Sequence, residues 1–192
     1  MKNNYKTDQE NFWAGEFGND YIERNIGSDF LASNLNFFST ALKHSKNINN
    51  CLEFGANVGM NLKALKLLFP SIELSGIEIN KHAVNELSNI TGHKNAYHST
   101  IFDWKSNQHY DLTLIKGVLI HINPDKLDIV YEKLYSSSKK YILICEYYSP
   151  SPTTISYRGH ADRLFKRDFA GEMLDKFSDL KLVDYGFSYH RD

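Results

Sequence analysis

"CLEFGANVGMNL", residues Cys51 to Leu62, joins a strand-like apolar run to a helix-like apolar run through Gly55, Asn57 and Gly59. A turn of that composition tolerates left-handed backbone, faces main-chain N–H groups outward and lets a ligand approach closely. A dinucleotide fingerprint would need further glycines where Asn57 and Met60 stand, and the Gly-Lys-Ser/Thr ending of a phosphate loop is absent. Both phosphate readings weaken, while the strand-turn-helix reading stands.

The rest of the chain continues the alternation. "NCLEF" reads as a strand, "NLKALKLLF" as a helix stopped by Pro70, "IELSGIEI" as a strand and "KHAVNELSNI" as a helix. "NAYHST" is a weak strand and "YDLTLIKGV" a strong one. Asn123 and Pro124 supply the cap and first turn of the helix "DKLDIVYEKLY". The strand "KYILICEYY", the helix "RDFAGEMLDKF" and a last strand near "LKLVDYGFSY" follow. Ahead of the first strand, Leu31, Leu35, Phe38 and Leu42 recur at helical spacing behind a Ser28 N-cap. This order predicts a mostly parallel sheet with helices on its faces and ligands at the carboxyl ends of its strands. No linker or repeat divides it, so residues 1–192 read as one domain, with a helical cap over 1–46 and an α/β core over 50–192.

At 42% hydrophobic, the 192 residues carry enough apolar surface for one core. A net charge of -1 offers no long-range attraction to nucleic acid or an anionic membrane, so neither is expected as a partner. No apolar run reaches the roughly 18 residues of a spanning helix. "MKNNYKTDQENFW" lacks the apolar core of a signal peptide, and the expected location is cytoplasmic. Cys51 and Cys145, without Cys-x-x-Cys spacing, read as reduced core thiols. The histidines lack ligand spacing, and no metal site is expected.

Three acids stand at successive strand ends. Glu53 precedes the first glycine of the turn by two residues, where it suits a cationic group or anchors loop N–H groups. Glu78, followed by Ile79, closes the second strand and can accept both hydroxyls of a ribose; such an acid has few structural duties there. Asp103 can accept from an adenine amine or serve only as a turn residue, and Trp104 beside it is an adenine-stacking face or core. A ligand with a positive end, a ribose and an adenine matches S-adenosylmethionine.

The chain resembles the class I methyltransferases and, within them, the pseudaminic acid biosynthesis-associated methylase family. The resemblance runs over nearly the whole length, through "FWAGEFGNDYIERN", "LEFGANVGMNLKAL", "GIEIN", "YDLTLIKGVLIHINPDKL", "EYYSPSPTTISYRGHADRLFKRDFAGE" and "DYGFSYHRD". It implies a Rossmann-like three-layer sandwich. It also implies cofactor contacts from Glu53, Gly55, Asn57, Gly59, Glu78, Asp103, Lys116 and Gly117. The segment holding Trp13, Phe17 and Tyr21, with Gly15 and Gly18 between them, would close over the cofactor and bring Arg24 to its carboxylate. That fold normally ends in an antiparallel strand, for which almost no residues remain after 189, so either the sequence is truncated or the sheet has one strand fewer, and the edge near residues 180 to 190 is expected to be exposed or covered by a partner.

The acceptor side reads less sharply. His121 lies just beyond the fourth strand, as a base or as a satisfied core residue. The stretch 146–168 is either a solvated loop or a site for a polar, anionic acceptor such as a sugar acid, with Tyr148, Tyr157 and Arg158 as contacts. For a hydroxyl acceptor the candidate bases are His121, Glu146, Tyr147 and His160. The expectation is a methyltransferase acting on a small polar molecule, a nonulosonic acid or sugar-nucleotide precursor among them. The alternatives are a protein methyltransferase and a non-catalytic module that binds S-adenosylmethionine.

Overall fold

The computed structural model describes residues 5–22, 27–106 and 108–189. Two short helices, α1 (Asp8–Ala14) and α2 (Glu16–Ile22), and a longer α3 (Ser28–Ala41) precede the sheet. The core then runs β1 (Asn50–Phe54), α4 (Met60–Leu68), β2 (Glu73–Glu78), α5 (Lys81–Thr91), β3 (Ala96–His98) and β4 (Tyr110–Lys116). A one-turn 3-10 helix at Leu119–His121 leads to α6 (Leu127–Ser137) and β5 (Ser138–Cys145). A hairpin of β6 (Thr153–Tyr157) and β7 (His160–Lys166) and the helix α7 (Phe169–Lys176) follow.

The five core strands lie in the order β3-β2-β1-β4-β5, each parallel to its neighbour. The direction of winding reverses between β1 and β4, so the crevice at their carboxyl ends is where a ligand of such a sheet is held. Side chains alternate across the sheet. Leu52, Phe54, Ile77 and Ile115 join the apolar cluster under α6 and α7, whereas Cys51, Leu112 and Leu114 join the one under α3, α4 and α5. By the same alternation Glu53 and Lys116 fall on the face beneath α3 and α4, at the ligand end.

The structure departs from the sequence reading in three places. The charged stretch after β5 is an antiparallel hairpin rather than a loop. Its tip has Arg158 at φ 50 and Gly159 at φ 84, a two-residue turn that needs positive φ at both positions. Residues 180–189 form no strand: beyond Leu180 they run exposed, tethered where Asp184 meets Lys43 and His44. Among the described residues no ladder pairs this segment, and Tyr185 N donates to Asp184 Oδ1 at 2.9 Å. The predicted Ser28 N-cap is also displaced, since Ser28 is the first helical residue and Gly27 precedes it without a side-chain cap.

Candidate active site

Between β1 and α4 the backbone turns left-handed three times, at Gly55 (φ 73), Asn57 (φ 47) and Gly59 (φ 81). Main-chain bonds fix the turn: the N–H groups of Gly55 and Ala56 both donate to Ile77 O at 2.9 Å, and Gly59 N donates to Ala56 O at 2.8 Å. A Cβ on Gly55 would lie 2.6 Å from Val118 Cγ2. The glycine therefore makes room for the start of the β4 loop as well as for the backbone conformation.

Glu78 has more structural work than its position suggested. Its Oε2 accepts from Asn57 N at 2.8 Å and its Oε1 from Asn80 N at 2.8 Å, so one carboxylate ties the β1 turn to the start of α5. Burial raises its pKa and those main-chain donors offset part of the rise. Each oxygen keeps acceptor capacity beyond these bonds.

Glu53 is fully buried. Its Oε1 accepts from Asn61 Nδ2 of α4 at 2.6 Å, but its Oε2 and Asn61 Oδ1 are buried without a partner. Burial lifts the Glu53 pKa to about 8, against the Asn61 hydrogen bond and the positive charge of Lys116. Lys116, at the end of β4, places its ammonium 3.3 Å from Asn34 Oδ1 and within 6 Å of the Phe30 and Phe37 ring centres on α3. Asn34 Nδ2 is buried and unpartnered. Next to Lys116, Gly117 turns left-handed (φ 68) and donates its N–H to Cys145 O. Just past β5, Glu146 Oε1 accepts from Val118 N at 2.9 Å and Leu119 N at 2.8 Å, capping the turn that carries His121. Glu146 is part-exposed as a residue while its Oε2 is buried and unpartnered, and burial raises its pKa to about 7.

His121 faces the other half of the crevice. Its Nδ1 lies 2.6 Å from Arg163 O, and since a carbonyl only accepts, Nδ1 carries the proton and a neutral ring presents Nε2 as the lone pair. Burial lowers its pKa and the Arg163 bond partly restores it. Its ring sits 4.8 Å from Trp13 and 4.9 Å from Tyr157. Phe17 packs edge-on to Trp13 and Tyr157, and Phe12 meets His160 at 5.0 Å. The cap, the turn after β4 and the hairpin thus share one aromatic cluster. Gly18 allows the close crossing of α1 and α2, because a Cβ there would strike Trp13 O. Asn80 joins the cap to the loops after β1 and β2, donating to Asn19 Oδ1 at 2.8 Å.

Other expected residues stand apart. Trp104 is buried against Phe54 and Tyr97, which makes it core. Asp103 is exposed and ion-paired with Lys6, its pKa lowered chiefly by that hydrogen bond. Ile79 offers its carbonyl to His98. Tyr147 and Tyr148 are exposed, the former 5.2 Å from Lys166 Nζ. Arg158 is exposed at the hairpin tip, over the Tyr157 ring. Arg24 lies outside the described residues. Asn34, Asn61 and Arg163 were missed as site residues, the asparagines because nothing local marks a helical Asn as facing a site. Among the described residues no three His, Cys, Asp or Glu side chains group as a metal site, and no helix is long and apolar enough to cross a membrane. Open clefts of about 400 and 280 Å³ lie at the opposite, amino end of the sheet, around Ser71 and Ile72.

Solved structures share this architecture. The mitomycin 7-O-methyltransferase MmcR matches with a TM-score of 0.66 at 15% identity, over 88% of this chain and 54% of its own. The fold is the Rossmann-like methyltransferase fold. The sugar N-methyltransferase KedS8 from a Streptoalloteichus species matches with a TM-score of 0.57 at 14% identity, over 73% of this chain and 61% of its own. The plantazolicin methyltransferase BpumL in complex with SAH matches with a TM-score of 0.54 at 18% identity, over 73% of this chain and 57% of its own. This chain thus spans between 54% and 61% of the length of these three structures. No family model matches the sequence, and no curated protein matches it either.

Proposed function

We propose that the protein is an S-adenosylmethionine-dependent methyltransferase acting on a small polar acceptor of the nonulosonic-acid or sugar-nucleotide class. The observation that carries the reading is the set of buried acceptors left without donors at the carboxyl ends of β1 and β5: Glu53 Oε2, Asn61 Oδ1 and Glu146 Oε2. Buried acceptors cost free energy until a donor arrives, and an ammonium brings three N–H groups. Asn34 Nδ2 and the Lys116 ammonium are donors on the same face, suited to a carboxylate beside that ammonium. The residues therefore fit an amino-acid end, with Glu78 beside the turn of Gly55, Asn57 and Gly59 suited to a ribose.

When bound, S-adenosylmethionine supplies a methyl group already activated on a sulfonium. What remains for the chain is to align the acceptor, exclude water and take a proton. The aromatic cap of Phe12, Trp13 and Phe17 covers the crevice. His121 Nε2 would take the proton of the acceptor hydroxyl, and the imidazole would then carry the positive charge. Glu146 holds the His121 turn through two N–H groups. The sugar acceptor class is supported by the family resemblance and by the aromatic and basic lining of the crevice.

The test is calorimetric titration of S-adenosylhomocysteine into the wild-type chain and into Glu78→Ala. Micromolar binding that weakens at least tenfold in a folded variant is expected, from loss of charged hydrogen bonds worth about 1.5 to 3 kcal/mol each. A wild-type chain that ignores this ligand, or is stabilised against heat by NAD instead, overturns the reading.

A further inference from the structure

We infer that Arg163 selects the acceptor by binding a carboxylate on it, while the main chain of the same residue orients His121. This rests on the methyl-transfer reading and narrows its substrate to small sugar acids.

The hairpin is irregular where Arg163 sits. Ile155 pairs with Leu164 and Tyr157 with His160, so one residue of β6 opposes three of β7. Asp162 takes a φ of 53 within that bulge. A bulge releases main-chain groups from the ladder and re-aims side chains. Here the freed carbonyls are used outward: Asp162 O accepts from Gln9 Nε2 of α1 at 3.1 Å, and Arg163 O receives His121 Nδ1.

The Arg163 side chain is part-buried, and its Nε has no hydrogen-bond partner. Its guanidinium lies 5.6 Å from the Phe12 ring centre, and Nη1, at an exposed position, donates to Asp162 O. No ion pair joins it to an acid among the described residues, whereas Arg167 nearby is paired to Glu172 at 2.6 Å. Glu10 of α1 uses Oε2 to cap the N–H groups of Lys6 and Thr7, while its Oε1 is buried without a partner. The Nε donor, buried and unspent, is unfavourable until an acceptor meets it, and the planar fork that Nε shares with the outer nitrogens matches a carboxylate. The aromatic rings of Phe12, Phe17 and Tyr157 flank that position, suited to the C–H faces of a sugar.

Sequence reading pointed to Arg158, which the turn sends to the exposed tip. The bulge turns the crevice over to Arg163. Carboxylate and base are then fixed by one residue, which sets which hydroxyl of the acid reaches Nε2.

The test uses N-acetylneuraminic acid as a nine-carbon sugar-acid probe and its methyl ester as the uncharged twin. Both are titrated into wild type and Arg163→Met saturated with S-adenosylhomocysteine. The expected result is binding of the acid that falls at least tenfold in Arg163→Met, with the ester weak in both proteins and affinity for S-adenosylhomocysteine unchanged. If the methionine variant does not fold, Arg163→Lys should weaken the acid in the same direction, because an ammonium lacks the bidentate fork. Equal binding of acid and ester, an unaffected variant, or no binding of the acid by the loaded wild type overturns the inference. Failure of the wild type to bind S-adenosylhomocysteine counts instead against the methyl-transfer reading.

Discussion

Around Glu78 the crevice is held by main-chain groups of neighbouring loops, whereas around His121 it is held by rings from α1, α2, the turn after β4 and the hairpin. The first half is fixed by backbone conformation and buried charge, so it tolerates little change in any one residue. The second is assembled from segments more than a hundred residues apart, in contacts that each contribute modestly. On the proposed methyl-transfer reading, a cofactor common to many reactions suits the rigid half, and an acceptor particular to one enzyme suits the half that varies by side chain.

The comparison is most exposed to attack at Gly55. Alanine there must hold a positive φ, at about 1–2 kcal/mol, and must move Val118, whose Cγ2 lies 2.6 Å from the new Cβ. Gly55→Ala is expected to lose about 3 kcal/mol in denaturant unfolding, with overpacking making up the remainder. Adding Val118→Ala should restore the packing share and not the backbone share. A neutral Gly55→Ala would mean that backbone does not govern this half.

Charge offers the next test. The Glu53 carboxyl stays protonated to about pH 8 in the folded chain and has an ordinary value of 4.5. Between those values the folded state binds more protons than the unfolded state, so stability from this group declines as pH rises from 4.5 to 8. His121 works the other way: burial lowers its pKa, and its contribution is lost as pH falls below 6.5. Glu53→Gln should flatten the alkaline decline, by a few kcal/mol at about 1.4 kcal/mol per pH unit, as read from denaturant titrations at several pH values. A ligand ammonium meeting the ionised Glu53 reverses the trend, so S-adenosylhomocysteine should raise the melting temperature more at about pH 8 than at about pH 5.5. A slope unchanged by Glu53→Gln would remove Glu53 as its source.

In the ring-built half the expected effect is smaller. Trp13→Ala removes contacts to His121, Phe17 and Tyr21 and should cost about 1–2 kcal/mol. It should raise the acceptor KM while leaving affinity for S-adenosylhomocysteine within about threefold. An equal loss on both ligands would show that the cap serves the crevice as a whole.

The alternation of strands and helices and the β1 turn were legible because both are local: apolar runs of strand and helix length, and Gly or Asn where the backbone must turn left-handed. Glu53 and Glu78 were legible as strand-end acids, but the donors that meet Glu78 were not, since Asn57 and Asn80 reach it through main-chain N–H groups that leave no mark in residue type. The hairpin carried a usable signal in "TTISYRGHADRLFK", two strand-like runs around a two-residue turn with glycine, and its charged residues obscured it. The alternation of Val183, Tyr185, Phe187 and Tyr189 reads as a strand and none forms there, because a strand also needs a neighbour to bond. Trp104 was ambiguous for a plain reason, since one indole serves as core or as a stacking face and only the position of Phe54 and Tyr97 decides.

The smallest effect is expected at Arg158, and it separates the hairpin's shape from its role. Arg158 is the first residue of a turn that wants positive φ at both positions, where Asn before Gly is strongly preferred. Its guanidinium rests 5.6 Å from the Tyr157 ring centre at an exposed site, an attraction of about 0.5–1 kcal/mol. Arg158→Asn exchanges that attraction for an easier backbone, so the net change in stability should stay within about 0.5 kcal/mol. Turnover on the acceptor should be unaltered, in contrast to Arg163→Met. A substantial fall in turnover for a folded Arg158→Asn enzyme would return the acceptor contact to the hairpin tip and place the variable half of the crevice further from the sheet.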